Sequence, residues 1–249
     1  MSPIPRPQDT AERLPQVKRT PLYEQVYDIL LERIKNGHLP AGEIVDAQSI
    51  ADSLGISRTP VREAIRNLVQ VGVLEADGNL RARVYLPNVN ELAEIYQIRS
   101  AMYSVTAQTV AVFHAELDLT HLRSSVPTHV NELEPEQIAD ANNQFHRELV
   151  RLSTNQASLK LQSTMSLQVR QYRHFAMRYP ERRSGSVKDH QQILQLIEQG
   201  NAEGARRETY AHILRAGAWA ICHLAPDPSR DSMPMRFLRS YADSATSDQ

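Results

Sequence analysis

Hydrophobic side chains recur every three or four residues through the first third of the chain, a spacing that predicts short amphipathic helices. The first helix has its apolar positions at Leu22, Val26, Ile29, Leu30 and Ile34. A second helix is expected after Asp46 and a third after Ser57, because Asp and Ser are preferred N-cap residues. Gly55 would make the tight turn between these two helices.

The pattern then changes to a period of two, which is typical of a strand with one buried face. Between residues 80 and 86 the apolar positions Leu80, Ala82, Val84 and Leu86 alternate with Arg81, Arg83 and Tyr85. The run follows Asp77-Gly78, and Asp-Gly between two short apolar runs is a hairpin signal. Three helices and a basic hairpin predict a winged helix-turn-helix over residues 20–87.

From residue 88 to 225 the pattern is helical, punctuated by prolines and by Gly200. It predicts helices near 91–115, 117–125, 135–153, 156–179, 186–199 and 202–224, the first of them capped by Asn90. We therefore expect a mainly α protein, in which the winged helix-turn-helix joins an all-α helical bundle. Residues 1–19 predict a disordered arm. Residues 226–249 predict a C-terminal tail, in which Met235–Tyr241 could form one or two amphipathic turns.

Composition limits the possible environments and partners. The single cysteine, Cys222, excludes an intramolecular disulfide, which suits a reducing cytosol. There is no apolar run of about 20 residues and no secretion signal, so we expect no membrane partner. The formal net charge is −1, so any charge that binds nucleic acid must be concentrated locally.

Such a concentration is found on the third helix. Arg58, Arg62 and Arg66 lie at i, i+4 and i+8 and therefore share one face. A helix fits the major groove of B-DNA, where Arg is the commonest specific reader of guanine. The stripe alone is compatible with an ordinary solvated face, but its place in a winged helix-turn-helix favours double-stranded DNA as a partner.

Three histidines of the helical region point to a metal site. Asn142 and His146 are at i and i+4, on one helix face. His190 precedes Gly200 by 10 residues and His212 follows it by 12, which is about 15 and 18 Å along two helices. If those helices pack antiparallel, both imidazoles reach the same height, and His146 could join them. Three histidines suit Zn²⁺ or Ni²⁺, although a lone histidine is more often a hydrogen-bonded residue than a ligand.

Three segments resemble the GntR family of bacterial transcription regulators, in its FadR-type branch with an FCD effector domain. They are LGISRTPVREAIRNLVQVGVL at 54–74, NNQFHRELVRLSTN at 142–155 and DHQQILQLIEQGNAEGARRETYAHI at 189–213. The resemblance covers residues 21–225, and it implies an all-helical domain that binds an effector and dimerises, over residues 88–225.

The resemblance also implies roles in DNA binding. Arg58 and Arg62 would read base edges, while Ser57, Thr59 and Arg66 would contact phosphates. Gly78 would lie at the tip of the wing, with Arg81 or Arg83 nearby. At Gln48 many relatives carry an arginine; since Gln can bond adenine, the operator of this chain could differ from theirs.

For the effector site the resemblance implies a metal held by an aspartate and three histidines. The histidines match His146, His190 and His212, whereas Asn142 stands at the aspartate position, and a neutral amide is a weaker ligand. Arg99 matches an arginine that can face the effector, and Tyr103 replaces a common glutamate. On a later helix, Arg170 and Arg173 could meet an anionic effector or belong to a solvated face.

These observations predict a DNA-binding transcription regulator, more often a repressor in this family, that is controlled by a small organic acid. A homodimer would place two winged helices on a pseudo-palindromic operator. Two alternatives remain open. The effector site could be free of metal, or the chain could be a helical metalloenzyme fused to a DNA-binding module, although no residue is placed as an obvious general base.

Overall fold

The computed structural model describes residues 20–77, 81–129 and 133–242. The first part contains three helices and three short strands, in the order α1 (Leu22–Lys35), β1 (Ile44–Asp46), α2 (Ala47–Leu54), α3 (Arg58–Gln70), β2 (Leu74–Asp77) and β3 (Arg81–Val84). The second part is helical: α4 (Val89–Val112), α5 (Thr120–Ser124), α6 (Pro135–Leu152), α7 (Gln156–Gln168), α8 (Arg170–Ala176), α9 (Pro180–Glu198), α10 (Ala202–Leu224) and α11 (Met233–Arg239). The predicted fold class is confirmed.

The wing is a three-stranded antiparallel sheet in the order β1-β3-β2, in which Ala82 of β3 pairs with Val45 of β1 and with Ala76 of β2. The sequence predicted only two strands. The third, β1, is three residues long, too short to show a period-two pattern. Leu86 was expected to be buried but is 40% exposed, because β3 ends at Val84. Gly78 and Leu80 lie outside the described residues.

The core of the winged helix lies between α1 and α3. Val26, Leu30 and Ile34 of α1 are buried with Val61, Ala64, Ile65 and Leu68 of α3. Two apolar positions of the α1 pattern are instead on the outside, since Leu22 is 44% and Ile29 41% exposed.

The helix starts differ in how they are capped. Asp46 caps α2 by accepting a hydrogen bond from the Ser49 amide at 2.9 Å. Ser57 occupies the N-cap position of α3, but its hydroxyl makes no capping hydrogen bond. The first helix of the second part is capped by Asn88, in a capping box with Glu91, and not by Asn90 as predicted.

Two further helices differ from their predicted bounds. The segment 156–179 was expected to be one helix, but it is divided into α7 and α8 at Val169, a buried residue with φ −93° and ψ 0°. Helix α9 begins at Pro180, six residues before the predicted start, because a proline at N1 loses no intrahelical hydrogen bond.

Helices α4 and α10 form the centre of the helical part. Gly217 allows their close approach, since a Cβ placed there would lie 2.7 Å from Cγ of Tyr96. At the end of the chain, α11 packs against both helices and buries Met235 and Leu238, so the expected tail contains a packed helix. Within the described residues no helix has the length and apolar character needed to cross a membrane.

The winged helix rests on the junction of α7 and α8. Leu167 packs against the core of the winged helix, and the Gln168 side-chain amide donates a hydrogen bond to the Gly72 carbonyl at 3.0 Å. The Tyr172 hydroxyl donates to the carbonyl of Pro87 at the start of the linker. These contacts connect the helical part to the end of α3 by a second route besides the linker.

Candidate metal, effector and DNA sites

Three helices each bring one histidine to a buried cluster. His146 lies on α6, His190 on α9 and His212 on α10, and their potential ligand atoms lie within 4.8 Å of one another. The Nε2 atoms of His190 and His212 are 3.2 Å apart. Because α9 and α10 run back from the Gly200 turn, the two residues meet despite being 22 positions apart.

Neighbouring groups orient these imidazoles. The Asp189 carboxylate accepts a hydrogen bond from His212 Nδ1 at 2.8 Å, which leaves Nε2 of His212 directed at the cluster. His190 stacks on Phe145 with 4.1 Å between ring centroids. His146 Nδ1 is buried and has no hydrogen-bond partner. An oriented imidazole and an unpartnered ring nitrogen are what a metal ion such as Zn²⁺ requires, so these residues fit the metal.

The cluster favours neutral imidazoles, which is the form that binds a metal. Burial, reinforced by the neighbouring histidines, lowers the pKa of His146 and of His190 well below the ordinary value. Burial also lowers the pKa of His212, although Asp189 opposes the shift. Burial raises the pKa of Asp189, but its hydrogen bond with His212 and the charge of Arg215 outweigh this and keep it ionised.

Asn142 lies one turn before His146 and is buried beside the cluster. Its side-chain oxygen accepts a hydrogen bond from the Ser186 hydroxyl at 3.3 Å. Asn142, His146 and His212 line the same small pocket. The side chain is thus available to a ligand in that pocket but contributes no negative charge.

Three arginines, Arg99, Arg173 and Arg182, line this pocket with His146 and His212. Arg99 and Arg173 converge on Ser166: Arg99 donates to its hydroxyl and Arg173 to its carbonyl, each at 3.0 Å. The Nε atoms of both arginines are buried without a hydrogen-bond partner. Burial lowers the pKa of Arg173 to about 10, and it also lowers that of Arg182, the third arginine. Unpaired buried guanidinium groups provide a site for an anion.

Two predicted effector residues have different positions. Tyr103 does not line the pocket, but its ring lies 4.8 Å from that of His146 and its hydroxyl lies 3.3 Å from that of Ser166. Arg170 is directed away from the pocket and lies against Gly37 of the winged helix. Arg182 was missed because the prediction placed it before the start of its helix, where no helical face could be assigned.

The arginine stripe of α3 is accessible. Arg58, Arg62 and Arg66 are exposed, as are Ser57 and Thr59 in the first turn. Among the described residues, none of the three arginines forms an ion pair or a hydrogen bond. Their guanidinium groups are therefore available to a polyanion.

Some of the other residues predicted to contact DNA form hydrogen bonds or ion pairs within the chain. Gln48 donates to the Asp52 carboxylate at 2.7 Å. Arg83 donates to the Gly42 carbonyl at 2.9 Å and pairs with Asp77 at 3.0 Å, so it stabilises the base of the wing. Arg81 is exposed, and Gly78 at the predicted tip lies outside the described residues.

An exposed cationic helix on a winged helix-turn-helix, joined to a helical bundle with a buried pocket, defines the class of transcription regulators. Family comparisons agree: residues 22–84 match the "Bacterial regulatory proteins, gntR family" model and residues 94–215 match the FCD domain model. The chain belongs to the GntR family and carries an FCD domain.

Curated relatives extend the agreement over most of the chain. The "Probable D-xylose utilization operon transcriptional repressor" of Paenarthrobacter nicotinovorans is 30% identical over 207 residues, covering 82% of this chain and 89% of the relative. The "Uncharacterized HTH-type transcriptional regulator YdhC" of Bacillus subtilis (strain 168) is 29% identical, over 78% of this chain and 89% of the relative. The chain is a transcription regulator and not an enzyme.

The fold also matches a solved structure. The structure of E. coli McbR/YncC superimposes with a TM-score of 0.65 at 22% identity, covering 82% of this chain and 99% of the other. The likeness extends through both the winged helix and the helical part, so the two parts share one architecture with that protein.

Proposed function

We propose that the chain is a repressor that binds a pseudo-palindromic operator as a homodimer and is released by a small organic acid in the pocket of α6, α9 and α10. One observation carries the proposal: the chain has two sets of unpaired arginines, one exposed on α3 and one buried beside the histidines. The first set suits the phosphates and bases of DNA, and the second suits a small anion.

On DNA, α3 would enter the major groove with its first turn towards the bases. Arg58 and Arg62 are assigned to base edges, and Ser57, Thr59 and Arg66 to phosphates. The unengaged Arg81 would follow the backbone beside the wing, and Gln48 would add a contact from α2 after leaving Asp52.

The two kinds of contact are separated by a pair of variants. We expect Arg62→Ala to cost about 1–3 kcal/mol on operator DNA and to relax base preference, whereas Arg66→Ala should weaken operator and random DNA alike and reduce the salt slope by about 1. Fluorescence anisotropy with both duplexes at several salt concentrations measures this, with the exposed Arg207→Ala as control. Equal losses on both duplexes for Arg62→Ala would make Arg62 a phosphate contact.

The buried charges favour an acid as effector. Arg99 and Arg173 have no carboxylate partner, and an unpaired buried charge is costly. A carboxylate placed between them would replace this cost by charge-assisted hydrogen bonds. The relative from Paenarthrobacter nicotinovorans is named for D-xylose utilization, whereas the cationic pocket of this chain favours an acidic ligand.

A divalent metal fits beside the acid. His146, His190 and His212 would hold it, with Asn142 as a weak fourth ligand, and the metal would supply a Lewis acid that binds an effector carboxylate. The neutral Asn142 also favours a second form of the proposal, in which the arginines bind the acid without a metal. Metal content after mild purification separates the two forms: less than about 0.1 metal per chain would exclude the metal form.

Dimerisation is supported by an apolar stripe on the outer face of α4. Ile98, Val105 and Val112 are spaced by seven residues and are 56%, 54% and 57% exposed. Seven residues are two helical turns, so the three side chains form one line. We assign this line to the interface with a second copy of the chain, because a sustained exposed apolar line marks an interaction surface.

The acid would act on DNA binding through α8. Arg173 faces the pocket from α8, and Tyr172 of the same helix holds the linker at Pro87. Movement of Arg173 onto an acid would therefore shift the support of the winged helix. An effector that binds the shifted arrangement more tightly lowers operator affinity. The size of this effect is set by the ratio of the effector's affinities for the two arrangements.

A further inference from the structure

We infer that this chain binds its metal and its acid as one unit, so that metal affinity depends on an anion with two negative charges. The inference rests on the proposed metal-and-acid site and adds the order and the charge of its ligands. It follows from the placement of Arg99, Arg173 and Arg182 around a ligand set that carries no negative charge.

The arginines surround the histidines on two sides. Arg99 and Arg173 meet at Ser166 and lie on the His146 side. Arg182 lies on the side of His190 and His212. All three line the pocket; Arg99 and Arg182 are 1% and 8% exposed, and Arg173 is half-buried. Solvent therefore screens their charges weakly.

The nearby acidic groups are already paired. Asp189 accepts from His212 and forms an ion pair with Arg215 at 2.8 Å. Arg215 also pairs with Glu208. At the position where an aspartate would offset the charge of a metal, Asn142 offers a neutral oxygen. Of the three pocket arginines, only Arg182 has a carboxylate, that of Asp189, close enough to affect its pKa. A divalent cation alone would therefore add charge to a pocket that is already cationic.

A dianion resolves this repulsion. One carboxylate would bind the metal at the histidines, and the second would lie between Arg99 and Arg173. Each carboxylate offers two oxygens that suit the fork of a guanidinium group. A monocarboxylate can satisfy only one of these positions. The charge pattern of the pocket lining therefore favours dicarboxylates, or acids with an equivalent second anionic group.

Zinc affinity of the metal-free full chain tests the inference. It would be measured by competition with a chromophoric chelator, alone and with malonate, succinate or glutarate, and with acetate as the singly charged control. We expect at least one dicarboxylate to tighten zinc binding tenfold or more and acetate to change it less than threefold.

Two variants test the cause. Asn142→Asp supplies the missing charge, so it should bind zinc at least tenfold more tightly than the wild type without acid, and the effect of the dicarboxylate should shrink. Arg182→Gln removes a repelling charge and should act in the same direction. The exposed Arg207→Gln is the matched control and should behave as the wild type. Thermal melting of each variant confirms that it is folded.

Two results would overturn the inference: wild-type zinc affinity that no dicarboxylate changes, or equal zinc affinity for the wild type and Asn142→Asp. Operator binding measured on the same samples keeps the proposed function separate. A wild-type protein that binds operator and is released by acid, but shows either result, retains the proposed regulation without the joint binding of metal and acid.

Discussion

The pocket places neutral imidazoles next to unpaired guanidinium groups, and both are properties of single residues. Burial favours the neutral form of His146, His190 and His212, while Arg99 and Arg173 have no carboxylate partner. Such an arrangement costs folding free energy in the absence of ligand. A ligand that binds the folded protein would offset this cost and raise the free energy of unfolding.

The histidines make stability depend on pH. Their folded pKa values lie below the unfolded value of about 6.5, so the unfolded chain takes up more protons as the pH falls through that value. The free energy of unfolding should therefore be retained above about pH 7 and fall towards pH 5. The expected decrease is about 1 kcal/mol per pH unit for each histidine. Urea unfolding in the presence of EDTA at pH 7.5 and 5.5 measures the loss.

His190→Asn should make this pH dependence shallower, while the exposed His121→Asn should leave it unchanged. The slope is the readout, so a lower overall stability of the buried variant does not obscure the result. The same slope for all three proteins would show that the buried histidines are protonated in the folded state.

Among the elements, the junction of α7 and α8 connects the two sites. Arg173 lines the pocket and donates to the Ser166 carbonyl, whereas Gln168 and Tyr172 hold the winged helix at Gly72 and Pro87. Each of these two pairs spans the break at Val169, with Ser166 and Gln168 before it and Tyr172 and Arg173 after it. Short rigid elements with contacts at both ends can carry coupling between sites.

We predict that Gln168→Ala combined with Tyr172→Phe uncouples the sites. The double variant should bind operator and acid with affinities within about threefold of the wild type, yet its operator affinity should respond less to the acid, since typical couplings are about 1–3 kcal/mol. Lys160→Ala, an exposed change on α7, is the control. An unchanged response of the double variant would assign the transmission to the linker instead.

The sequence predicted most elements because their patterns are long. Helices α6 and α10 have clear periodicity and ends marked by proline or glycine, and the spacing around Gly200 was sufficient to bring His190 towards His212. The break at Val169 is not marked by a proline or glycine; the residues next to it, Leu167 and Gln168, contact the winged helix, which a local pattern does not contain. Arg182 was missed because the helix was expected to begin at residue 186, although Pro180 at N1 is a local signal for the earlier start.

For the molecule as a whole, the apolar line on α4 sets the expected assembly. A dimer through Ile98, Val105 and Val112 would bury side chains that are each more than half exposed in the single chain. It would also fix the spacing of two α3 helices, and half-sites of an operator lie about one helical turn apart or a multiple of it.

Val105→Glu should therefore produce a monomer by placing a charge in the centre of the line. A monomer contacts one half-site at a time, so its operator affinity should be lower by about 100-fold or more. Met233→Glu, at a residue 82% exposed elsewhere on the helical part, serves as control. Light scattering and anisotropy on the same samples measure both effects; a dimeric Val105→Glu protein would show that another surface forms the interface.

Operator affinity with and without acid tests most directly whether the pocket controls the arginine stripe. A duplex selected from random DNA by the full-length protein would be titrated in zinc alone and in zinc with malonate, succinate or glutarate. We predict that at least one acid weakens binding fivefold or more, and that Arg99→Gln combined with Arg173→Gln abolishes this response while leaving operator affinity intact. The same affinity under every condition, or an undiminished response in the double variant, would contradict control from this pocket.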